Sequence, residues 1–355
     1  MASATLLVAL LAPATRGSGS PTATLATGTV TVVGPATCPS SMTGATCTKI
    51  KVTGCSGVAS IQGTIATALP SGGVPPVGVV FLFSGANGQA WWNSGTGIAA
   101  TFLSKLRETY HLETVQLKWS TDWTKAVSGQ LTGLAALACR PASVVKYVHD
   151  AIYATITPAP TPAPGQCGFC VTGNSGGASQ TMYPLTHYGL ASLAGVNAAV
   201  PTSGPTHGDL RKGCLGGTPA DPNDAAYAYG GDVSPMDYPY GYLDPLNNPG
   251  PCLQHDPSWS SHWDIDSVAT QGTSYNYADT RVEFVIGSAD SFVETDNQAG
   301  DVCRKLTTSS SPSVTWTLVS GMVHTIQRSQ VGLNALETAL TGRVWPGPLT
   351  PCPSA

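Results

Sequence analysis

Charged residues are scarce in this chain. Asp, Glu, Lys and Arg together make up 10% of its 355 residues, against about a quarter in an ordinary soluble domain. The formal net charge is −4 and no cluster of Lys or Arg interrupts the sequence. An electrostatic footprint for nucleic acid or for an anionic membrane surface is therefore missing, and we predict neither partner.

Long apolar runs and glycosylation sequons are missing as well. A membrane-spanning helix needs about 20 apolar residues, and no segment after the N-terminus approaches that length, nor does any Asn-X-Ser/Thr sequon occur. Thr5 to Ala12 is a short apolar stretch followed by small residues and Pro13. This pattern is typical of a signal-peptide core. We predict a signal peptide or its remnant at 1–20, a secreted protein, and a monomer.

The ten cysteines are an even number spread along the whole chain. Such usage favours an oxidising compartment, where disulfides persist. Cys214 with Cys252 and Cys303 with Cys352 are the predicted local pairs.

Cys167-Gly-Phe-Cys170 has the spacing of a redox or metal pair. Both cysteines fall in a predicted strand, and residues three apart on a strand point to opposite faces. We therefore expect each to bond to, or pack against, another partner.

Strand-like and helix-like segments alternate along the chain. Thr46–Gly54 and Ser60–Ala68 predict an antiparallel opening, and the apolar run Val77–Phe83 predicts a central strand covered on both faces. Further strands are predicted at 115–119, 167–171, 198–200, 282–286 and 314–319, and helices at about 98–106, 141–152, 178–190 and 326–340. The fold class is α/β, with a mostly parallel central sheet and helices on both faces.

Two stretches do not fit this alternation. Pro158–Pro164 has the composition of a stiff linker, but a domain boundary there would leave two half-sheets with unpaired edges. We therefore predict an exposed loop and a single domain over 21–355. Residues 205–279 are rich in Pro, Gly, Asp and aromatic side chains, and are too irregular for a sheet.

The most informative motif is Gly173-Asn174-Ser175-Gly176-Gly177, which follows an apolar run and precedes a helix-like segment. Flanking glycines allow a sharp turn that exposes the serine hydroxyl at the sheet edge. An ordinary turn is one alternative, and the similar box of chymotrypsin-like proteases is another. The helical spacing of Ala178, Met182 and Leu185 argues against the protease box, whose serine precedes a strand. Ser175 is the predicted nucleophile.

A serine needs a histidine to accept its proton and a carboxylate to orient that histidine. Asp290 follows the predicted strand 281–286, and His324 follows the strand 314–319, so both reach the carboxyl edge of the sheet. Other carboxylates and histidines compete for these roles: Asp296, Asp301, His207, His255 and His262.

The three elements together resemble the α/β-hydrolase superfamily. They are the Gly-X-Ser-X-Gly turn at Gly173–Gly177, Gly-X-X-Asp-X-X-Val at Gly287–Val293, and His324 before the last helix. The resemblance covers roughly 77–340. It implies a secreted serine esterase, similar to lipases, cutinases and polyester hydrolases, with Ser175, Asp290 and His324 as its triad.

The resemblance also implies an oxyanion hole and a lid. Backbone N–H groups of Gly176 and Ala86 would hold the oxyanion, with Asn87 as the alternative to Ala86. Residues 205–279 would form a disulfide-braced lid or cap whose aromatics shape the pocket. Trp91, Trp92 and Asn174 are the predicted substrate-binding residues, although the two tryptophans could equally pack under the next helix.

The resemblance implies hydrolysis of carboxylic esters through an acyl-enzyme, with no cofactor and no metal. Bulky or polymeric esters such as polyesters are the substrates that it suggests. The same triad would serve a peptidase or amidase. A catalytically silent protein that keeps the fold and binds a ligand with its aromatic insertion is the remaining alternative.

Overall fold

The computed structural model describes residues 24–94, 96–156, 166–230, 233–311, 313–342 and 351–354. The predicted signal peptide at 1–20 and the Pro-rich loop at 158–164 lie outside the described residues. No helix within the described ranges is long and apolar enough to cross a membrane.

The described residues form one sheet of nine strands in the order β1-β2-β3-β5-β4-β6-β7-β8-β9. The strands are β1 (Thr29–Ala36), β2 (Thr46–Thr53), β3 (Ile61–Ala68), β4 (Gly78–Phe83), β5 (Leu112–Trp119), β6 (Phe169–Asn174), β7 (Ala198–Thr202), β8 (Arg281–Gly287) and β9 (Val314–Val319). β1, β2, β3 and β5 pair antiparallel, and all pairs from β5 onward are parallel. The predicted fold class and the antiparallel opening are confirmed. Only β1 was not predicted, although its run of Thr and Val is typical of a strand.

The helices alternate with the parallel strands. Within the described residues they are α1 (Gly97–Glu108), α2 (Leu134–Leu137), α3 (Cys139–Ala151), α4 (Gly176–Thr186), α5 (Leu190–Leu193), α6 (Leu210–Leu215), α7 (Ser260–Asp266), α8 (Val293–Thr308) and α9 (Gln330–Thr341). The sequence did not predict α8, because its first two turns are mostly polar and its apolar periodicity is short. The last helix, predicted at about 326–340, ends at Thr341 and is followed by Gly342, which adopts φ 69°.

Both faces of the central strand are buried, as its unalternating sequence predicts. Phe81 and Phe83 of β4 pack in the larger apolar core, with side chains of α3, α4 and α8. Val80 and Leu82 point the other way, into a second core with side chains of α1 and α9. Full burial of one such side chain contributes about 1.5–3 kcal/mol, so this strand anchors both layers of helices.

All ten cysteines are paired. The predicted pairs Cys214–Cys252 and Cys303–Cys352 are confirmed. Two further disulfides are Cys38–Cys47, which is local, and Cys55–Cys139, which joins distant parts of the chain.

The prediction for Cys167 and Cys170 was wrong, because these two cysteines form a disulfide with each other. β6 begins only at Phe169, so Cys167 precedes the strand and the alternation of a strand does not apply to it. A bend at Gly168 brings the two Cα atoms to 5.6 Å, a normal separation for a disulfide.

Residues 205–279 connect β7 to β8. This segment contains α6, α7 and several short 3₁₀ turns. The Cys214–Cys252 disulfide lies within this segment. Several of its aromatic side chains belong to the larger core rather than to the surface, among them Tyr229, Tyr240 and Trp263. Much of the segment is therefore packed onto the sheet-helix core.

Candidate active site

The Gly173–Gly177 motif makes a sharp turn between β6 and α4. Ser175 has φ 57° and ψ −120°, a conformation that non-glycine residues rarely adopt and that marks local strain. The chain is crowded here, since a Cβ on Gly173 would lie 2.2 Å from the carbonyl oxygen of Gly177. The glycines therefore allow the turn, and Ser175 remains only half-buried at the sheet edge.

Asp290 and His324 lie together although 34 residues separate them. Nδ1 of His324 is 3.0 Å from Oδ1 and 2.9 Å from Oδ2 of Asp290. The Asp290 side chain is fully buried and the His324 side chain is 17% exposed. With Nδ1 engaged by the carboxylate, Nε2 is the nitrogen available to accept a proton.

The backbone around this pair is held by β8 and β9. The loop after β8 donates from Ala289 N to the carbonyl of Met322 at 3.0 Å, and the N–H of Phe292 donates to Oδ1 of Asp290 at 2.9 Å. Asn174, one residue before the serine, donates to the carbonyl of His324 at 2.9 Å. These bonds place the loop that carries His324 (the histidine loop) beside the turn at Gly173–Gly177 (the elbow). No hydrogen bond joins the Ser175 hydroxyl to His324 in the described chain, and such contacts are often long in a free enzyme.

The other candidate carboxylates have different partners or environments. Asp301 binds Lys212 at 2.8 Å and also Arg304. Burial, followed by the nearby Asp290 and Glu294, raises the pKa of Asp296 to about 8, so this group is largely neutral at pH 7. Among these three carboxylates, Asp290 is the one whose oxygens contact His324.

The other candidate histidines lie elsewhere. Burial lowers the pKa of His207 to about 3, and its ring lies 6.2 Å from that of Trp123. Nδ1 of His255 lies 2.6 Å from the carbonyl of Cys214, and His262 packs on Trp259 with ring centroids 4.9 Å apart.

The loop after β4 packs directly on the elbow. A Cβ on Gly176 would lie 2.1 Å from the carbonyl oxygen of Ala86, so the backbones of these two residues are in contact. Gly176 is the first residue of α4, where an N–H has no partner within the helix. Within the described residues, the N–H of Ala86 likewise makes no hydrogen bond. Both N–H groups are therefore unpaired within the described residues.

The side-chain amide of Asn87 donates to Gln89 at 2.8 Å, and its carbonyl accepts from Trp123 N at 3.4 Å. Its backbone N–H, the predicted alternative donor, makes no hydrogen bond within the described residues either. These contacts leave both Ala86 and Asn87 as candidates for the second donor.

The predicted substrate-binding residues require correction. Trp92 is 2% exposed and packs on Phe102 of α1, with ring centroids 5.7 Å apart. Asn174 is 3% exposed, and its amide is used by the carbonyls of Thr202 and His324. Neither side chain is free for a substrate, because the helix and the histidine loop already cover them. Trp91 is half-buried and lines an open cleft.

Sequence reasoning missed two contacts of the site. The ring of Phe292 lies 4.4 Å from that of His324 and is 38% exposed, so it shields one side of the Asp290–His324 pair. The sequence signal for this contact was the position of Phe292, two residues after Asp290.

Gln180 of α4 accepts from the indole of Trp119 at 2.7 Å and donates to the carbonyl of Ser84 at 3.4 Å. It ties the elbow helix to the loop after β4.

The described residues contain no group of three or more His, Cys, Asp or Glu side chains arranged to hold a metal ion. The chemistry that this arrangement supports is nucleophilic attack by Ser175, with proton transfer through His324.

No protein-family model matches the chain, and no curated protein sequence matches it. Solved structures do. Candida antarctica lipase A in its closed state superposes with a TM-score of 0.53 at 11% identity, covering 92% of this chain and 85% of that one. Est1E from Butyrivibrio proteoclasticus gives a TM-score of 0.46 at 14% identity, covering 78% and 94%. A thermostable esterase from Pseudomonas putida gives 0.45 at 13%, covering 85% and 83%. At such identities the likeness is one of fold.

Proposed function

The chain has the α/β-hydrolase fold, as its sequence predicted, and we propose that it is a secreted serine hydrolase that cleaves carboxylic esters through an acyl-enzyme. The observation that carries the proposal is the Asp290–His324 pair, 2.9 Å apart, beside a serine held in a strained turn. The five disulfides support an oxidising, extracellular location.

In the first half of the proposed reaction, Nε2 of His324 takes the proton of the Ser175 hydroxyl as Oγ attacks the ester carbonyl. The negative charge on the carbonyl oxygen is held by the N–H groups of Gly176 and Ala86. His324 then donates the proton to the leaving alcohol, and the acyl group remains on Ser175.

In the second half, a water molecule gives a proton to His324 and attacks the acyl carbon. The tetrahedral intermediate collapses, the carboxylic acid leaves, and the proton returns to Ser175. Asp290 remains ionised throughout and stabilises the imidazolium that forms at each step.

The segment 205–279 is the proposed lid. Tyr229 packs in the core, and its hydroxyl donates to the carbonyl of Thr206 at the start of the segment at 2.9 Å. Near the other end, the N–H of Thr273 donates to the carbonyl of Thr186 of α4 at 2.8 Å. These contacts support a lid that is held at both ends rather than a free flap. A bulky or polymeric ester remains the proposed substrate. The support for this substrate class now comes from Trp91 alone, because Trp92 is buried.

Fluorophosphonate labelling followed by intact-protein mass spectrometry tests the nucleophile. We expect one adduct on the wild type, one on a Ser56→Ala control that changes an exposed loop serine, and none on Ser175→Ala. A panel of p-nitrophenyl esters beside p-nitroanilides then separates an esterase from an amidase. Labelling that survives in Ser175→Ala, or turnover of anilides alone, would contradict the proposal.

A further inference from the structure

An open cleft of about 720 Å³ is lined by residues of β3, β5 and the loops next to them, and not by Ser175, Asp290 or His324. One wall is the segment after β1, which the Cys38–Cys47 disulfide holds onto β2. The floor is the sheet face of β3 and β5, where Thr64 pairs with Lys118. The principal side chains along the cleft are Thr37, Thr64, Gln89, Trp91, Lys118 and Ser120.

Gln89 connects the cleft to the loop after β4, residues 84–88, which we call the oxyanion loop after its proposed role. Oε1 of Gln89 accepts from Asn87 Nδ2 at 2.8 Å, and its Nε2 donates to the carbonyl of Ser120 at 3.5 Å. The cleft therefore adjoins the loop after β4, in which a Cβ on Gly85 would lie 3.6 Å from the Cβ of Ser175.

The sheet face that forms the floor is positively charged. In the register of the sheet, Thr64 lies between Lys49 of β2 and Lys118 of β5, so the three residues share one face, and the two lysine Cα atoms are about 10 Å apart. Lys51, two residues from Lys49, lies on the same face. None of the three lysines forms an ion pair in the described residues.

Carboxylates are missing from this part of the chain. The protein has 20 acidic residues, and the first of them is Glu108. Strand β2 therefore carries two lysines with no acidic residue on β1, β2 or β3, although the whole chain has a net charge of −4. The sequence shows no run of lysines, and only the register of the sheet brings these three together.

Trp91 supplies the apolar element of the cleft. One side of its indole packs on a small cluster that includes Met42, Cys47 and Ala66, and the residue remains half-buried at the cleft. An anchored aromatic face suits the C–H face of a sugar ring. Hydroxyl and amide groups of Thr64, Gln89 and Ser120 are suited to ring hydroxyls.

We propose that this cleft binds an acidic polysaccharide, a chain of sugar rings that carry carboxylates. The lysines attract the carboxylates, Trp91 packs on a ring, and the open shape admits a polymer. The further step, in which an ester group on the bound polysaccharide reaches Ser175, rests on the proposed function. Binding of the polysaccharide at the cleft does not.

The test measures binding of the full chain carrying Ser175→Ala, so that turnover does not consume the probe. Polygalacturonate is the probe, at low and at physiological salt, with neutral dextran and a single-stranded oligothymidylate for comparison. We expect Lys49→Gln with Lys118→Gln to weaken polygalacturonate binding about tenfold at low salt, since each exposed ion pair contributes a factor of a few. The loss should shrink at high salt, where charges are screened. Lys146→Gln, which removes an exposed lysine of α3, is the matched control and should bind as the parent does.

Trp91→Ala should weaken binding about fivefold to tenfold at both salt concentrations, and Trp91→Tyr should retain most of it. The tyrosine variant and a circular dichroism spectrum separate lost stacking from a damaged fold. Equal binding by parent and cleft variants, or dextran binding as tight as polygalacturonate binding, would overturn the proposal. Tighter binding of the oligothymidylate than of polygalacturonate would overturn the proposal and identify the cleft as a nucleic-acid surface. Absence of ester turnover by the wild-type protein, which keeps Ser175, would refute the proposed function and leave the binding result unaffected.

Discussion

Replacing Asp290 by Asn tests the candidate site most directly. The change keeps the size of the side chain and removes its negative charge. The charge lies against His324, with both carboxylate oxygens within 3.0 Å of Nδ1, and the Asp290 side chain is fully buried. Water therefore screens the pair weakly.

The magnitude follows from the charge that develops on His324 in the transition state. Two unit charges about 4 Å apart at an effective dielectric constant of about 20 interact by about 4 kcal/mol. Each 1.36 kcal/mol corresponds to about tenfold in rate, so kcat should fall about 10³-fold. KM should change by less than about twofold, because Asp290 does not reach the substrate.

The assay is steady-state hydrolysis of p-nitrophenyl butyrate, together with the rate of fluorophosphonate labelling. Asp279→Asn, an exposed aspartate before β8, is the matched control and should keep full activity. A loss of less than about tenfold in kcat for Asp290→Asn, with the fold intact, would refute the assignment of Asp290 as the orienting carboxylate.

Three further predictions concern packing, covalent bracing and burial. Gly176→Ala places a Cβ 2.1 Å from a carbonyl oxygen of the oxyanion loop; kcat should fall at least about 10²-fold, whereas Gly97→Ala, which meets open space, should leave kcat unchanged. Replacing Cys214 and Cys252 by Ser opens a loop with a sequence separation of 38 and should lower the unfolding free energy by about 4 kcal/mol in denaturant titrations; an unchanged midpoint would contradict this. Burial raises the pKa of Asp296 to about 8, so the folded protein keeps a proton that the unfolded chain loses near pH 4, and stability falls as the pH rises between these values. The gain in Tm of Asp296→Asn over the wild type should therefore grow from pH 5 to pH 8 and then level off, and a gain independent of pH would show that the carboxyl is not neutral in the fold.

Local features of the chain could be predicted from the sequence because their causes act over a few neighbouring residues. The apolar run of β4 indicated burial on both faces, and the structure places Phe81 and Leu82 in opposite cores. The glycines around Ser175 indicated a turn that no larger residue could make, and the chain turns sharply there. The sequence did not predict α8, because its first turns are mostly polar and show no apolar residues at helical spacing.

What the sequence by itself determined was the order of strands and helices, the elbow, and the positions of a carboxylate and a histidine after two strands. Only the tertiary structure decided which carboxylate meets His324, that Cys167 pairs with Cys170, and that Asn174 supports the histidine loop. It also decided that lysines from separate strands share one face. The reason is that these contacts depend on which strands become neighbours and in which register, and both follow from packing over the whole chain.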